Sequence, residues 1–521
     1  MSAHSEIAQP VTSSGDAAQA EWRWLDRIAP LSAVCVLIAS CLLSSSRKDM
    51  WLDEGFTLEL LGDRSFSHMM RALVHAADGG MPLYYIVAYG WGRVFGLSLL
   101  SLRLLSSLFI CAGVLLLWST LRKYFSLTAV SLAMTATVTT SALVLTHNAQ
   151  ARYYGLYFAT AALVFALHAL LAQTPHPGGK LLSGAILAHV ALIMSHPFGL
   201  LYSVASICAL LVSDYRWGKV RAGLYAMLAN SWLILVLWVV PLLNLHDVAV
   251  PRNWPPPLDF SDVVSLYSFS SPCVVMVIFV VVALTALGRP AESRELRADD
   301  PRPLMTCATA FLIPPLLIAV LSVGESSFFV NRYFIPSLVG VTAIVTSLFD
   351  LRLRRVKSSV PLKIAWLVMF VVFLAWPIGS ALSLNDKRFV TMDRNLPNGV
   401  PVIVTDAQAF LPLTYLSHKA DRPYYFPLDW NAALHSASRG MTVEDKLMRN
   451  SKAAGYSVDR ILEGEQLRCA FDSFLVVDNP RYEWFQTRIV RNRDYQVQML
   501  GPGPHELQVW SVKRVGNATC R

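Results

Sequence analysis

From residue 28 to residue 384 the chain repeats one pattern, a run of mostly apolar residues, a short polar loop, then another apolar run. A helix needs about 20 such residues to cross a bilayer, and in hydrocarbon only helices or closed barrels satisfy their own backbone. On that scale the sequence holds eleven candidate spans, near 28–46, 99–120, 127–146, 155–172, 181–196, 198–213, 222–243, 263–287, 304–322, 333–350 and 364–384. Charged residues make up only 15% of the chain and hydrophobic ones 54%, whereas a soluble domain carries about 25% charged residues. The expected fold is an α-helical polytopic membrane protein of about eleven spans.

The net charge of +9 does not point to nucleic acid. The basic residues sit in short stretches between apolar runs, not in blocks interleaved with aromatics on a soluble domain. Residues 1–27 read as a polar cytoplasmic tail. No small-residue cleavage site precedes a soluble domain, so the run from Ile28 reads as a retained first span.

The loops alternate in charge. One set, which includes Arg122-Lys123, Arg216, Lys219, Arg221 and the cluster Arg352, Arg354, Arg355 and Lys357, holds fifteen basic residues. The opposite set, with Arg152, Arg252, Arg332 and the long loop 47–98, holds eight. The positive-inside rule puts the richer set in the cytoplasm, which leaves the 47–98 loop and everything after the last span outside. Within that loop, Pro82–Leu97 mixes Tyr84, Tyr85, Tyr89, Trp91 and Arg93 with three glycines, a composition suited to an interfacial helix.

The transmembrane part is thus expected over 28–384 and a separate external, periplasmic domain over 385–521. In the latter, apolar runs shorten to strand length at Val402–Val404, Phe474–Val477 and Leu507–Val512. Helical patterns fall between them near Ala407–Ser417 and Val443–Met448, which argues for a small soluble α/β domain. No P-loop or dinucleotide glycine fingerprint occurs. Six cysteines lie in apolar runs, so Cys469 and Cys520 form the plausible disulfide pair.

Polar residues that could carry chemistry collect on one face of the membrane, opposite the basic loops. Trp51-Leu52-Asp53-Glu54 opens the first external loop, and two adjacent carboxylates directly after a span supply a candidate general base. Gly79-Gly80-Met81-Pro82-Leu83-Tyr84-Tyr85 follows, then Ala149-Gln150-Ala151-Arg152-Tyr153-Tyr154, Ser195-His196-Pro197 and Asn331-Arg332-Tyr333. Singly, an arginine at a helix end is more often an interfacial anchor, a tyrosine there part of an aromatic belt, and a histidine before proline a packed polar residue. Their convergence at one surface is the stronger signal, because polar groups at the membrane are costly and usually functional. No Cys/His spacing suggests a metal.

The order of these motifs, over about residues 28–345, resembles the bacterial branch of the dolichyl-phosphate-mannose–protein mannosyltransferase superfamily, which includes the aminoarabinose transferases, membrane glycosyltransferases of GT-C architecture. The resemblance implies an inverting transfer of a sugar from a polyprenyl-phosphate donor to a lipid, glycan or protein acceptor outside the cytoplasmic membrane. It implies Asp53, with Glu54 beside it, as the catalytic acid pair, Arg152 and Arg332 near the donor phosphate, and Tyr84, Tyr153, His196 and Tyr333 around the substrate. Many relatives carry His-Pro-Pro-Leu where this chain has Gly80-Met81-Pro82-Leu83, so no metal is assigned and no cofactor is expected. A flippase or transporter would instead place polar residues at the bilayer midplane. An O-antigen ligase would place its large loop late in the chain.

Overall fold

A computed structural model describes residues 25–249, 258–267, 300–323, 329–353, 360–416, 422–435, 442–480 and 483–515. Among these, six helices are long and apolar enough to cross a membrane: Asp26–Arg47, Leu99–Tyr124, Tyr154–Gln173, Ala222–Asn244, Arg302–Leu321 and Ile364–Ser383. Each coincides with an expected span. The spans expected at 181–196 and 198–213 are the helices Gly179–Ser195 and Gly199–Arg216, turned at His196-Pro197-Phe198. That expected at 333–350 is the helix Ser337–Leu353, entered through a 3₁₀ turn at Asn331–Phe334. Most of the span expected at 263–287 lies outside the described residues.

The span expected at 127–146 is not one regular helix. Leu127–Met134 passes into a π-turn at Thr135–Thr139, and a new helix begins at Ala142. The cause is local. The hydroxyls of Thr135, Thr137, Thr139 and Thr140 each donate to the carbonyl four residues back, at 2.5–2.7 Å, and so compete with the helical ladder.

Tyr154–Gln173 is the most enclosed of the long helices, packed between Leu99–Tyr124 and Gly179–Ser195. Gly155 permits this. A Cβ there would stand 2.2 Å from the Ser106 carbonyl oxygen, so only glycine lets the two backbones meet. Buried polar pairs join the bundle, among them Ser107 to Asn148 at 2.8 Å and Thr137 with Thr342 at 2.7 Å. Large apolar side chains such as Leu187, Leu237 and Val320 cover the outside, as a lipid-facing surface requires.

The 47–98 loop folds into three helices, Leu52–Leu61, Phe66–Val74 and Pro82–Phe95. The last of these is the helix expected over Pro82–Leu97. The C-terminal part is a six-stranded mixed sheet in the order β3-β2-β1-β4-β6-β5. β1 (Val402–Val404) lies between the parallel strands β2 (Tyr424–Leu428) and β4 (Ser473–Asp478), with β3 (Ile461–Glu463) outside β2. β6 (Gln508–Arg514) and β5 (Tyr495–Pro502) close the other edge antiparallel. The helices Ala407–Leu416 and Thr442–Ala453 stand where helical patterns were expected. Three strands carry no clear sequence signal: β2 contains a proline, β3 is a two-residue apolar step between Asp459-Arg460 and Glu463, and β5 is a largely exposed edge. Cys469 is disulfide-bonded, and Cys520, expected as its partner, lies outside the described residues.

The sheet domain is seated on the first loop. Met50, Leu52 and Phe56 enter its core beside Phe410 and Leu411. A Cβ on Gly55 would fall 2.7 Å from that of Leu411. Polar contacts complete the seam: Glu59 accepts from the hydroxyls of Ser451 (2.6 Å) and Ser457, and Tyr456 donates to Asp63 at 2.7 Å.

Candidate active site

Asp53 and Glu54 occupy the first turn of the helix Leu52–Leu61, where carboxylates are favoured by the exposed N–H groups. Consecutive helical residues point about 100° apart, and that rotation separates the two acids. Glu54 turns inward and is fully buried. Its Oε1 accepts from Arg103 Nε at 2.8 Å and the Ala151 amide at 2.7 Å. Its Oε2 accepts from Arg103 Nη2 at 2.7 Å and the Trp51 amide at 2.9 Å. Burial opposes ionisation of Glu54, but the Arg103 guanidinium outweighs it and holds the carboxyl below its usual range. With every lone pair of Glu54 engaged, it joins the first loop to the helix Leu99–Tyr124 and to the turn before Arg152.

Asp53 turns outward and is 24% exposed. Its carboxylate makes no hydrogen bond among the described residues and lies 3.9 Å from Arg152 Nε, itself buried and without a hydrogen-bond acceptor. The other Arg152 nitrogens are committed. Nη1 donates to Asp78 Oδ2 at 2.6 Å, to the Asp53 carbonyl and Thr57 hydroxyl at 3.0 Å each, and to Tyr85 at 3.3 Å. Nη2 donates to Asp78 Oδ1 at 3.1 Å. Asp78 is a functional residue that local pattern does not single out, although it directly precedes the Gly79-Gly80-Met81-Pro82 motif. That adjacency was the available signal.

Around Asp53 and Arg152 stands a group of rings. Tyr153 lies under the Arg152 guanidinium at 4.9 Å and against Tyr154 at 4.6 Å. His196 contacts Tyr153, Tyr157 and Tyr333, at 5.5, 4.9 and 4.6 Å. Arg332 lies 5.7 Å over the Tyr333 ring and within electrostatic reach of Asp53, Tyr153 and Tyr154. Four segments far apart in sequence therefore bring Asp53, Arg152, Tyr153, His196, Arg332 and Tyr333 into one cluster.

Tyr84 is placed differently from the substrate contact that the resemblance implies. It is fully buried, with its hydroxyl 3.5 Å from that of Ser106, which in turn donates to the Arg152 carbonyl at 3.0 Å. The C-terminal domain contributes Glu444, whose Oε2 is buried without a hydrogen-bond partner. Burial, with the carboxylates of Asp406, Asp445 and Asp53 nearby, pushes the Glu444 carboxyl well up. No group of three or more His, Cys, Asp or Glu side chains arranged to hold a metal ion occurs among the described residues.

No protein-family model and no curated protein sequence matches the chain. Solved structures do. The crystal structure of ArnT from Cupriavidus metallidurans in the apo state aligns with a TM-score of 0.53 at 13% identity, over 95% of this chain and 98% of that one. The crystal structure of the same protein bound to undecaprenyl phosphate gives 0.52 at 12% identity, over 92% and 97%. Nearly end-to-end agreement shows that this chain has that fold, a helical GT-C type membrane architecture carrying a small C-terminal sheet domain.

Proposed function

We propose that the protein is a membrane glycosyltransferase that moves a sugar from a polyprenyl-phosphate donor to an acceptor hydroxyl at the external face of the membrane, with Asp53 as general base. The observation that supports this most is the contrast between the two neighbouring acids. Glu54 is consumed by four hydrogen bonds, whereas the Asp53 carboxylate is held beside Arg152 with its lone pairs unclaimed. The ArnT structure that shares the fold contains undecaprenyl phosphate, a donor-type carrier lipid.

In this reading the acceptor hydroxyl gives its proton to an Asp53 oxygen while its oxygen attacks the anomeric carbon. The bond from that carbon to the phosphate oxygen breaks, and the polyprenyl phosphate leaves with the electron pair. One carboxylate facing the sugar suits a single inverting displacement. The departing phosphate needs fixed cations, and Arg332, within electrostatic reach of Asp53, stands where one is required. Arg152, bound in a fork by Asp78, acts as a positioning group whose charge, with Nε 3.9 Å from the Asp53 carboxylate, orients that carboxylate electrostatically. Tyr153, His196 and Tyr333 offer ring faces against which a sugar packs. Residues 385–521 then form an external domain covering the site, and the basic loops lie inside.

The test is transfer of radiolabelled sugar from polyprenyl phosphate by purified protein. Asp53→Asn is nearly isosteric but cannot take the proton, so the rate should fall about 10²–10⁴-fold while folding and membrane insertion persist. Near-normal transfer by Asp53→Asn would remove the assignment.

A further inference from the structure

Outside the ring cluster, on another side of the first loop, lies a cavity of about 480 Å³ between two helices. One wall is the first-loop helix Phe66–Val74 with the residue that follows it. His68, Arg71 and His75 line the cavity from positions i, i+3 and i+7, a spacing that gathers them on one helical face. The opposite wall is the C-terminal-domain helix Thr442–Ala453, which presents Lys446 and Asn450 one turn apart. The floor is Asn244, at the end of the span Ala222–Asn244.

The lining contains no carboxylate. Arg71 and Lys446 have no ion-pair partner among the described residues, in a chain where Arg103, Arg152, Arg221 and Arg422 are all paired with acids. The rest of the wall is organised so that the cations remain available. Asn244 Nδ2 donates to the Val74 carbonyl at 2.7 Å and Asn450 Nδ2 to that of Ala76 at 3.1 Å, which occupies carbonyl oxygens at the end of the first-loop helix that would otherwise claim them. His75 Nδ1 is held by the Arg71 carbonyl at 2.8 Å, and His68 Nδ1 is held by Asp63, so in each ring only Nε2 remains uncommitted. Lys446 Nζ rests 5.1 Å from the Trp430 ring, a contact that places the charge without neutralising it.

Two unpaired cations and two imidazoles line the cavity, and the acid bonded to one of those rings, Asp63 on His68, is not itself part of the lining, which gives the cavity the character of an anion site. Unlike charges left facing each other across an empty gap would simply attract; like charges repel, and that cost is recovered when a multivalent anion sits between them. We infer that this cavity binds a phosphate group, with Arg71 and Lys446 as its principal partners, and that the bound group ties the C-terminal domain to the first loop. The phosphate can belong to a phospholipid headgroup, since the floor is the end of a span, or to a free phosphate. The inference does not rest on glycosyl transfer, because neither Asp53 nor any member of the ring cluster lines the cavity.

The experiment uses the full-length protein, purified in non-ionic detergent. Inorganic phosphate is titrated by calorimetry in one arm. Dioctanoyl phosphatidic acid is titrated in the other, with dioctanoyl phosphatidylcholine as the control whose phosphate is masked by choline. Melting of the protein is followed in parallel, since a ligand bound only to the folded state raises the melting temperature. Because the proposed donor site at Arg332 can also take a phosphate, binding of either anion supports the site when the variants at Arg71 and Lys446 weaken it, and such binding by phosphatidic acid alone would identify a lipid headgroup as the source. Arg71→Ala and Lys446→Ala, both at positions with solvent access, should each weaken binding about tenfold and together remove the ligand-induced rise in melting temperature. Asp53→Asn should bind as the unmodified protein does, which separates this site from the transfer reaction. Failure of both anions to bind, or affinity unchanged in the double variant, overturns the proposal.

Discussion

Glu54→Gln exchanges one atom and keeps the side-chain shape, yet the structure makes it a severe change. Glu54 and Arg103 are 0% and 1% exposed. The glutamate oxygens accept from four N–H groups, two of them on Arg103. An amide supplies one oxygen and sets its own two N–H donors against two of the protein's donors. The greater loss is electrostatic. Arg103 cannot shed its proton, so it would remain a buried cation without its counter-charge, and breaking a buried pair in this way costs about 3–5 kcal/mol. The reciprocal change, Arg103→Met, should cost less, because a stranded Glu54 can neutralise itself by taking a proton.

The assay is thermal melting of the purified variants, followed by size-exclusion chromatography. Glu54→Gln should melt roughly 5 °C or more below the unmodified protein. Arg103→Met should fall between them, and the double variant should recover part of the loss, since no unpaired charge remains. The pair also fixes a pH direction. Because the folded-state pKa of Glu54 is lowered, its contribution is present above the carboxyl's unfolded range, near 4.3, and is lost as pH falls through the folded value. Glu54→Gln melting within about 1 °C of the unmodified protein would refute the reasoning.

Three further outcomes are expected. A reporter active only outside the cytoplasm, fused after Arg521, should be active, and activity of a cytoplasm-only reporter there would reverse the proposed orientation. Burial, reinforced by Asp406, raises the Asp445 carboxyl to about 8, so its folded form holds a proton that its unfolded form has released. Stability therefore falls as pH climbs from about 4 to 8, at up to about 1.4 kcal/mol per unit. Asp445→Asn should melt higher than the unmodified protein at pH 8 and equally at pH 4, and an equal gain at both would exclude this cause. Arg332→Ala should lower the rate of transfer and weaken donor retention together, and a change in neither would remove Arg332 from the donor site.

By itself the sequence determined the solvent of this protein. Apolar run lengths and sparse charge dictate spanning helices, and each of the six long helices falls where a run had marked it. It also marked which segments would carry polar residues to one face, because Asp53, Arg152, His196 and Arg332 stand at the ends of apolar runs. It did not decide between Asp53 and Glu54. Neighbours in a list of letters are alike in composition, and only the rotation of the helix on which they lie, together with a partner 49 residues away, turns one into a buried counter-ion and leaves the other open. Arg152 followed the same course: Asp78, 74 positions earlier, claims its guanidinium. The seating of the C-terminal domain on Gly55 and the basic cavity formed at Arg71 and Lys446 were likewise beyond local pattern. Burial and ion pairing depend on which distant segments come within a few ångströms of each other, and that is settled only when the chain closes on itself.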